Sequence, residues 1–416
     1  MAQVLILGKG AREHALAQTF IASPQVDQVY VAPGNSGMET KGIQILSDIE
    51  LDDFAAMLAF AKEKAIDLTF VGSEEPLIGG VVDIFQEAGL KIFGPSQAAA
   101  QLEGSKDFAK SIMAAAKVPT AHHRTVTSLP EAQAFLTQAS WPLVFKIDGL
   151  AAGKGVSIIA EEEQARNYLL EVYRTNPAQK LVIEEFLQGP EFSIFSFVGP
   201  DGQIQHVPLA QDHKRRFDGD RGPNTGGMGA YSPLPWLNEK DKNRAIQELV
   251  LPVLAEMNKQ GMPFTGVLYT GVILTKAGPK VIEFNVRLGD PEAQVVLPQL
   301  QSDFYQNICD LLAGRPANFI WQKEAYYLGV VLVSPAYPAK SEEKLPVPYY
   351  KDLAPLIVNY ATVEKDGEQL VSDGGRILTV VGHEANLQAA RDEVYRTILA
   401  NNTALAYRKD IGHAAL

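Results

Sequence analysis

The segment VIEFNVRLGDPEAQ, residues 281–294, carries side chains that could bind a metal ion and an anion. In an extended strand, Glu283, Asn285 and Arg287 would share one face, while apolar residues such as Ile282 would pack inward. Carboxylate and amide oxygens on a strand suit Mg²⁺, which usually has one or two protein ligands plus substrate phosphates. A guanidinium suits a phosphate or a carboxylate. The pattern therefore predicts a metal and anion site, with a plain exposed polar strand face as the alternative.

A second candidate is the glycine-rich loop in KIDGLAAGKGV, residues 146–156. Lys146 would lie in a strand and Lys154 in the loop itself. A flexible glycine loop between antiparallel strands can close over phosphates and exclude water. The Walker pattern G-x-x-x-x-G-K-[ST] is absent, so this is a different kind of phosphate loop. A simple hairpin with solvated lysines is the alternative.

The loop GKGARE follows the first apolar segment and contains Gly8, Gly10, Arg12 and Glu13. It partly matches the dinucleotide fingerprint G-x-G-x-x-G, but Glu13 stands where the third glycine belongs. The segment after the next strand ends in Asn35 and offers no clear ribose-binding acid. An NAD site is therefore disfavoured. Phosphate binding by the loop, the helix N-terminus and Arg12 fits better, and a tight turn without a ligand is the alternative.

The stretch GPNTGGMG, residues 222–229, has four glycines in eight residues and follows the charged run DHKRRFDGDR. Glycines allow backbone N–H groups to approach a small ligand without interfering side chains. We therefore predict a loop between two halves of the structural core that forms one wall of a substrate site.

Composition limits the class of protein that could hold these sites. The chain has 416 residues, too many for a single ordinary core, and a formal net charge of −12. A broad basic surface for nucleic acid is therefore not expected. The single cysteine excludes an intramolecular disulfide and fits a reducing cytoplasm. The N-terminus resembles a strand rather than a signal peptide, and no apolar run approaches the roughly 20 residues of a membrane span.

The elements that must position these residues follow a changing pattern along the chain. Residues 1–102 alternate short apolar runs with helical spacing, which predicts parallel βαβ units with ligands beyond the carboxyl ends of the strands. Residues 121–187 predict a compact unit of strands and a helix, preceded by a helix that Ser105 caps. Two hairpins, turning at residues 201–202 and 277–278, flank a long amphipathic helix near residues 240–259. From about residue 325 the pattern predicts a small α+β domain.

Seven motifs occur in the same order as in a known family: GKGAREHAL, APGN, GSEEPL, LEGSKDFAK, KIDGLAAGKGV, QDHKRRFDGDRGPNTGGMGAYSP and RLGDPEAQ. They span almost the whole chain, which resembles the phosphoribosylamine–glycine ligase (glycinamide ribonucleotide synthetase) family of the ATP-grasp superfamily. The resemblance implies an α/β and α+β multidomain fold, with a Rossmann-like parallel-sheet domain, an ATP-grasp core with a small lid, and a small C-terminal α+β domain. The implied boundaries are residues 1–102 for the N-terminal domain, 103–120 and 188–324 for the core, 121–187 for the lid and 325–416 for the C-terminal domain.

The resemblance also implies a role for each matching residue. Residues that would bind ATP are Lys106, Lys146, Lys154, Glu184, Glu185, Phe186, Leu187 and Glu191. Residues that would hold the metal ion are Glu283 and Asn285. Residues that would act at the reacting centre are Arg287, Asp212 and Lys214. Residues that would bind the other substrates are Gly8, Gly10, Arg12, Glu13, Asn35, Glu74, Thr225, Gly226, Gly227, Met228, Asp290 and Pro291.

The implied activity is ATP-dependent ligation of glycine to 5-phosphoribosylamine through glycyl phosphate, the second step of purine synthesis, with Mg²⁺ or Mn²⁺. The implied protein is a cytoplasmic monomer that binds neither nucleic acid nor membranes. Two residues depart from the family pattern: Ala11 stands where glycine is more usual, and Ser73 stands where proline is usual. The alternatives are another ATP-grasp enzyme such as a biotin-carboxylase-like enzyme, a non-catalytic nucleotide sensor, and an NAD oxidoreductase.

Overall fold

The computed structural model describes residues 1–137, 139–150, 155–348, 355–401 and 404–416. The chain begins with a five-stranded parallel sheet in the order β3-β2-β1-β4-β5, which confirms the predicted βαβ units. Its strands are β1 (Ala2–Gly8), β2 (Val26–Pro33), β3 (Ile43–Ile45), β4 (Leu68–Val71) and β5 (Ile92–Phe93). The accompanying helices are α1 (Ala11–Ile21), α2 (Phe54–Glu63), α3 (Glu74–Gly79), α4 (Val81–Glu87) and α5 (Gln97–Gly104).

Helix α6 (Lys106–Ala115) leads out of this sheet, and Ser105 caps it as predicted. The Ser105 hydroxyl accepts a hydrogen bond from the Phe108 N–H at 3.1 Å. The Asp148 carboxylate accepts a second one, from the Lys106 N–H at 2.6 Å. A negative charge at a helix N-terminus is favourable, so this contact fixes the start of α6 against the segment that carries the glycine loop.

Residues 123–185 form a separate antiparallel sheet in the order β6-β9-β7-β8. Its elements are β6 (His123–Val126), α7 (Leu129–Leu136), β7 (Leu143–Ile147), β8 (Val156–Ile159), α8 (Glu162–Thr175) and β9 (Leu181–Glu185). The two helices pack on the sheet around a hydrophobic core of their own, which includes Phe145 and Leu169. Residues 123–185 therefore form a unit with a hydrophobic core separate from the rest of the chain.

The central sheet is antiparallel, in the order β11-β10-β16-β17. Its strands are β10 (Glu191–Val198), β11 (Ile204–His206), β16 (Gly266–Thr275) and β17 (Gly278–Asn285). The predicted turn at residues 201–202 is present, with Gly202 at φ +82°. The second turn was predicted one residue too late, because Thr275 pairs with Gly278 and the two loop residues are Lys276 and Ala277.

The long helix predicted near residues 240–259 is present but not uniform. It runs through α9 (Glu239–Ala245), a π-helical turn (Ile246–Val250) and α10 (Leu251–Lys259). Pro252 lacks a backbone N–H, and a wider turn before it avoids one α-helical hydrogen bond. None of the described helices is long and apolar enough to cross a membrane.

A β-bulge alters the strand that was predicted to carry the metal ligands. Gly271 pairs with Glu283, but the next residue on that strand, Val272, pairs with Val281. Ile282 is therefore the extra residue of the bulge and is only half-buried, which corrects its predicted place on the packed face. The strand ends at Asn285, so Arg287 lies just beyond it rather than within it.

The last large sheet combines strands from two parts of the chain, in the order β12-β15-β18-β22-β19. Strands from the middle of the chain are β12 (Gln211–Asp212), β13 (Arg215–Phe217), β14 (Arg221–Asn224) and β15 (Gly229–Ser232), of which β13 and β14 form a separate hairpin. Later elements are α11 (Glu292–Val296), α12 (Phe304–Leu312), β18 (Tyr326–Val333), β19 (Ile357–Tyr360), β20 (Val363–Asp366), β21 (Gln369–Ser372), β22 (Arg376–Glu384) and α13 (Leu387–Ala400). Because β15 pairs with β18, the segment 222–229 leads directly into the C-terminal sheet.

Candidate active site

Four side chains, which we call the lysine cluster (Lys106, Lys110, Lys146 and Glu184), join the lid to α6. The ammonium groups of Lys146 and Lys110 each lie 2.9 Å from a different oxygen of the Glu184 carboxylate. Lys146 also donates to the Ile282 carbonyl at 2.9 Å, so the lid strand β7 contacts the bulge of the central sheet. Lys106 donates to the backbone carbonyl of Gly149 at 2.9 Å, next to the glycine loop. Lys154 lies outside the described residues.

The carboxylate of Glu283 faces several of these positive charges. Burial alone would raise its pKa, but Lys214, Lys146 and Lys106 outweigh burial and lower it. In turn, burial lowers the pKa of Lys106, while Glu283 opposes that shift. Glu283 therefore stays ionised in a low-dielectric cleft, which is the state a cation ligand needs.

The two residues predicted to hold a metal ion fit that role in type and position. Glu283 and Asn285 lie two residues apart at the end of β17, and both remain partly accessible. The Asn285 amide oxygen lies 3.4 Å from a guanidinium nitrogen of Arg287. Among the described residues, no group of three or more His, Cys, Asp or Glu side chains is arranged to hold a metal ion. These two oxygen donors therefore suit an ion that takes its remaining ligands from substrate phosphates and water.

The predicted adenine hinge lies where the lid returns to the central sheet. Phe186 and Leu187 fall in the connection between β9 and β10, and Phe186 is 37% exposed. The Glu185 carboxylate accepts hydrogen bonds from the His122 N–H at 3.0 Å and from the Lys280 ammonium at 3.1 Å. The connection thus has an accessible aromatic ring beside polar groups that are anchored by hydrogen bonds.

A second group of charges, the arginine cluster (Arg12, Glu13, Glu74, Glu103 and Arg287), lies at the carboxyl end of the N-terminal sheet. Arg287 lies between two carboxylates, with Nε 3.1 Å from Glu74 and Nη2 2.9 Å from Glu103. Arg12 lies 2.6 Å from Glu13 and 3.7 Å from the Glu74 oxygen that Arg287 also contacts. The cluster therefore connects the first loop of the N-terminal sheet to the end of β17.

The two carboxyl groups that contact Arg287 have pKa values shifted in opposite directions. Burial raises the pKa of Glu103 to about 7, although Arg287 opposes the shift. Glu74 is half-buried, and Arg287 and Arg12 together overcome the effect of burial and lower its pKa to about 2. Arg287 is therefore held by one firmly ionised carboxylate and by one that titrates near neutrality.

Glycines of the first loop make room for a protein side chain. Gly8 has φ +146°, and a Cβ there would lie 2.4 Å from the Glu13 side chain. A Cβ on Gly72, just after β4, would also lie 2.4 Å from that side chain. Glu13 is 1% exposed and accepts a hydrogen bond from the Gly10 N–H at 2.7 Å. We predicted that the loop glycines open the backbone to a ligand, and this interpretation needs correction. Gly8 accommodates the buried Glu13 carboxylate, and the Gly10 N–H is already bonded to it.

Asn35 holds two domains together. Its side-chain amide donates to the Lys9 carbonyl at 2.7 Å and to the Ala361 carbonyl at 2.7 Å, and it is 9% exposed. Its oxygen accepts from the Gly37 N–H at 3.0 Å. The amide is thus occupied by backbone groups, so any effect of Asn35 on a substrate passes through the position of the first loop.

Carboxyl groups flank Lys214, one of the residues predicted to act at the reacting centre. Burial raises the pKa of Asp212 to about 7, and neighbouring Lys214 opposes the shift. Burial would lower the pKa of Lys214, but Asp212 and Glu191 raise it well above its usual range. The Lys214 ammonium lies 3.1 Å from a Glu191 oxygen. Asp212 can therefore exchange a proton near neutral pH, while Lys214 remains a cation.

The backbone of residues 225–228 is already hydrogen-bonded within the protein. The N–H groups of these four residues donate at 2.8, 2.8, 3.0 and 2.8 Å. Their acceptors, in the same order, are the Lys214 carbonyl, the Tyr337 hydroxyl, the Thr225 hydroxyl and the His213 carbonyl. The expectation that these groups approach a small ligand is therefore wrong for this structure. The segment is a junction that fixes β15 beside the cleft.

Close packing explains why two glycines stand in this junction. Gly227 has φ +116°, and a Cβ there would lie 2.4 Å from the Pro291 ring. A Cβ at Gly226 would lie 3.0 Å from the Arg376 guanidinium carbon. Met228 is fully buried in the hydrophobic core, so its side chain does not face a substrate, contrary to the prediction.

Several residues at the site were missed by the sequence argument. They are Glu103, Lys110, Tyr269, Glu292, Tyr337 and Arg376. Lys110 lies one helical turn after Lys106, a spacing that could have identified it. Glu103 and Glu292 fall inside the motifs LEGSKDFAK and RLGDPEAQ. Ser193 links Tyr269 and Glu292 through its hydroxyl, at 3.0 and 3.1 Å, but no local pattern indicates Tyr269, Tyr337 or Arg376.

A lid sheet that presents lysines to a central sheet bearing a carboxylate is the architecture of ATP-grasp enzymes. Residues 2–103, 104–293 and 327–414 match the N domain, the ATP-grasp (A) domain and the C domain of phosphoribosylglycinamide synthetase. The phosphoribosylamine–glycine ligase of Lactococcus lactis is 49% identical over 416 residues, which cover 100% of both chains. The chain therefore belongs to the phosphoribosylamine–glycine ligase family of ATP-grasp ligases.

Solved structures agree with this assignment. The crystal structure of phosphoribosylamine–glycine ligase from Thermotoga maritima has a TM-score of 0.84 and 30% identity, over 99% of this chain and 100% of that one. Biotin carboxylase from Campylobacter jejuni has a TM-score of 0.71 with 16% identity, over 97% of this chain and 92% of that one. The second likeness shows a shared fold.

Proposed function

We propose that the protein joins glycine to 5-phosphoribosylamine at the expense of ATP. The products are glycinamide ribonucleotide, ADP and phosphate, and the reaction is the second step of purine synthesis. Family membership over the full chain supports this proposal. The observation that carries it is the convergence of lysines from α6 and the lid on the ionised Glu283 of the central sheet.

The lysine cluster supports binding of the ATP phosphates by Lys106 and Lys146, with Lys154 as a further contact from the glycine loop. Lys110 would hold Glu184 in place from the side away from the phosphates. Residues 184–187 would bind adenine along the hinge, and Glu191 would bind the ribose. The pairing of Glu191 with Lys214 would then connect the ribose to the reacting centre.

Glu283 and Asn285 would hold Mg²⁺ or Mn²⁺ together with ATP oxygens and water. A divalent ion bound there would neutralise phosphate charge and orient the γ-phosphate. The low pKa of Glu283 supports this role, because the carboxylate keeps its charge without a cation. A Glu283→Gln enzyme should require a much higher metal concentration for half-maximal activity, and an unchanged requirement would remove Glu283 from the metal site.

Ligation would proceed in two steps within the closed cleft. A carboxylate oxygen of glycine attacks the γ-phosphorus, and the bond to the β–γ bridging oxygen breaks to give glycyl phosphate and ADP. The amine of phosphoribosylamine then attacks the acyl carbon, and the C–O bond to phosphate breaks. The amine loses one proton in this step, and Asp212, whose pKa is raised to about 7, would accept it. Lys214 and Arg287 would offset negative charge as phosphate departs.

The remaining predicted residues would shape the binding sites for glycine and phosphoribosylamine. Residues proposed for this role are Gly8, Gly10, Arg12, Glu13, Asn35, Glu74, Thr225, Gly226, Gly227, Asp290 and Pro291. Glu13 and Asn35 would act by holding the first loop, since both side chains are buried and bonded within the protein. Arg12 is buried beside that loop, and Glu74, with which it pairs, is the most accessible member of the arginine cluster.

The predicted domain boundaries and the monomeric, cytoplasmic state remain part of the proposal. The single cysteine supports a reducing compartment. Sedimentation of the purified protein would test the monomer, and a mass of two or more chains would contradict it.

Release of ADP provides the direct test of the proposed reaction. Purified protein with ATP and a divalent ion should release ADP when both glycine and phosphoribosylamine are present, and glycinamide ribonucleotide should form in equal amount. ADP release that requires bicarbonate in place of glycine would favour a carboxylase. ATP binding without turnover under any of these conditions would favour a nucleotide sensor.

A further inference from the structure

Arg376, at the first position of β22, connects the C-terminal sheet to the proposed reacting centre. Its Nη1 donates to the Gly226 carbonyl at 2.6 Å and to the Asp290 carbonyl at 2.8 Å. Its Nη2 lies 3.3 Å from the Asp290 carboxylate. One guanidinium group therefore joins three chain segments that are far apart in sequence.

One of the residues that Arg376 holds, Asp290, lies against the first loop of the N-terminal sheet. A Cβ on Gly10 would lie 3.4 Å from the Asp290 carboxylate, so Asp290 nearly touches that loop. The other Asp290 oxygen accepts from the Gln294 amide at 2.8 Å. Asp290 is thus fixed from both sides, by α11 on one and by Arg376 on the other.

Tyr337 completes the contact of the C-terminal region with residues 225–228. Its hydroxyl accepts a hydrogen bond from the Gly226 N–H at 2.8 Å, while Arg376 binds the Gly226 carbonyl. Both polar groups of one glycine are therefore bound by the C-terminal region. A Cβ at Gly226 would lie 3.0 Å from the guanidinium carbon, so a larger residue there would require Arg376 to shift by a few tenths of an ångström.

We propose that Arg376 is a positioning residue for the transfer of the glycyl group to the amine. Through Gly226 and Asp290 it sets the distance between the 225–228 segment and the first loop, the two walls proposed to hold glycine and phosphoribosylamine. This inference rests on the proposed function. A rigid planar fork with several donors suits the task, because a lysine ammonium cannot reproduce contacts to two carbonyls and a carboxylate in the same plane.

The position of Arg376 predicts a selective kinetic effect. Its guanidinium group contacts Gly226 and Asp290, and the lysine cluster is held by α6, β7 and β9. Loss of Arg376 should therefore change the steps that involve glycine and phosphoribosylamine and leave ATP binding as it was.

The test compares Arg376→Ala and Arg376→Lys with a matched control, Lys365→Met. Lys365, like Arg376, is a cation of the C-terminal region, but it pairs with Glu39 of the N-terminal domain and lies on an exposed surface. Displacement of a reacting group by about 1 Å costs on the order of 100-fold, so kcat/KM for phosphoribosylamine should fall by about that factor in Arg376→Ala. The KM for ATP should stay within about twofold of the wild-type value, as expected where ground-state ATP contacts are intact. Lys365→Met should match the wild type.

Rescue separates positioning from folding. Guanidinium ion added to Arg376→Ala, below concentrations that unfold the protein, should restore part of the lost kcat. Arg376→Lys should keep a small part of the wild-type kcat. Wild-type kinetics in folded Arg376→Ala would overturn the inference, as would a loss that follows the unfolded fraction and does not respond to guanidinium. If the wild-type protein itself makes no glycinamide ribonucleotide, the proposed function has failed instead.

Discussion

In the lysine cluster, the ammonium groups of Lys110 and Lys146 share the single carboxylate of Glu184, and Lys106 adds a third positive charge. In the arginine cluster, two guanidinium groups are surrounded by three carboxyl groups. Both clusters are largely buried and both join separate domains. The lysine cluster has more positive than negative charge, and the arginine cluster has more acids than bases.

This difference matches the substrates proposed for the two ends of the cleft. ATP brings several negative charges, which the excess of lysine charge can neutralise. Phosphoribosylamine and glycine each bring an amine as well as an anionic group, a phosphate in one and a carboxylate in the other, and glycine carries no side chain that could anchor it. Arginines already paired with carboxylates keep a fixed geometry for such small ligands. The lysine cluster thus provides positive charge for the ATP phosphates, while the arginine cluster provides a fixed arrangement of side chains around the smaller substrates.

The largest effect should come from removing Arg287. Arg287→Ala leaves the Glu74 and Glu103 carboxyl groups buried without their main partner, which should cost about 3–5 kcal/mol of the free energy of unfolding. Synthesis should be lost as well. Denaturant unfolding and glycine-dependent ADP release measure the two effects. Arg287→Lys keeps the charge but loses the fork, so it should recover more stability than activity. Wild-type synthesis in Arg287→Ala would remove Arg287 from the reacting centre.

A smaller loss, mainly of activity, should follow from Lys146→Met in the lysine cluster. Losing one donor to a charged transition state costs about 10²–10³-fold in rate, and kcat/KM for ATP should fall by about that factor. Glu184 keeps Lys110 as a partner, so stability should fall less than in Arg287→Ala. Lys110→Met is the control, since Lys110 is proposed only to hold Glu184. Equal kinetic losses in both variants would show that Lys110 also contacts the phosphates.

A pH-dependent effect should distinguish Glu103 from the other carboxyl groups. Its pKa rises from 4.5 to about 7 on folding, so between these values the folded protein holds a proton that the unfolded chain has lost. This contribution to stability is complete below pH 4.5 and is lost as the pH rises to about 7. One such group adds a slope of up to about 1.4 kcal/mol per pH unit.

Replacing Glu103 with glutamine removes the titrating proton. Stability of Glu103→Gln, measured by denaturant unfolding across this pH range, should decline less steeply than that of the wild type. Asp212, whose pKa is also raised to about 7, contributes a similar decline to both proteins and cancels in the comparison. Identical slopes would mean that Glu103 is ionised in the folded state.

The smallest effect is expected at the edge of the ATP end. The Lys280 ammonium lies 3.1 Å from Glu185, but both side chains are partly exposed. Lys280→Met should change the free energy of unfolding by less than about 1 kcal/mol, as is usual for such pairs. The KM for ATP should also stay unchanged, because the hinge is proposed to bind adenine through its backbone and Phe186. A clear rise in that KM would show that the Glu185 carboxylate must be held for adenine to bind.

Local patterns predicted much of the fold because they record short-range physics. The alternating apolar runs before residue 102, the Ser105 cap and the hairpin at residues 201–202 depend on neighbours in the chain, and the structure confirms them. The prediction that Ile282 lies on the packed face was wrong, because a β-bulge depends on the pairing of two strands and has no signal in the local sequence. The end of β17 before Arg287 was missed for the same reason.

The glycines of residues 222–229 show most clearly what the sequence determines and what only the tertiary structure determines. Their number in the sequence established that the backbone there must be unusual and closely approached. Only the tertiary structure decided what approaches it, because Pro291, Tyr337 and Arg376 come from distant parts of the chain. Residue types and spacing thus determined the family, the lysines and the acidic strand face. The pairing of charges and the partners of each N–H group required the fold, since they depend on distances between segments that sequence order does not constrain.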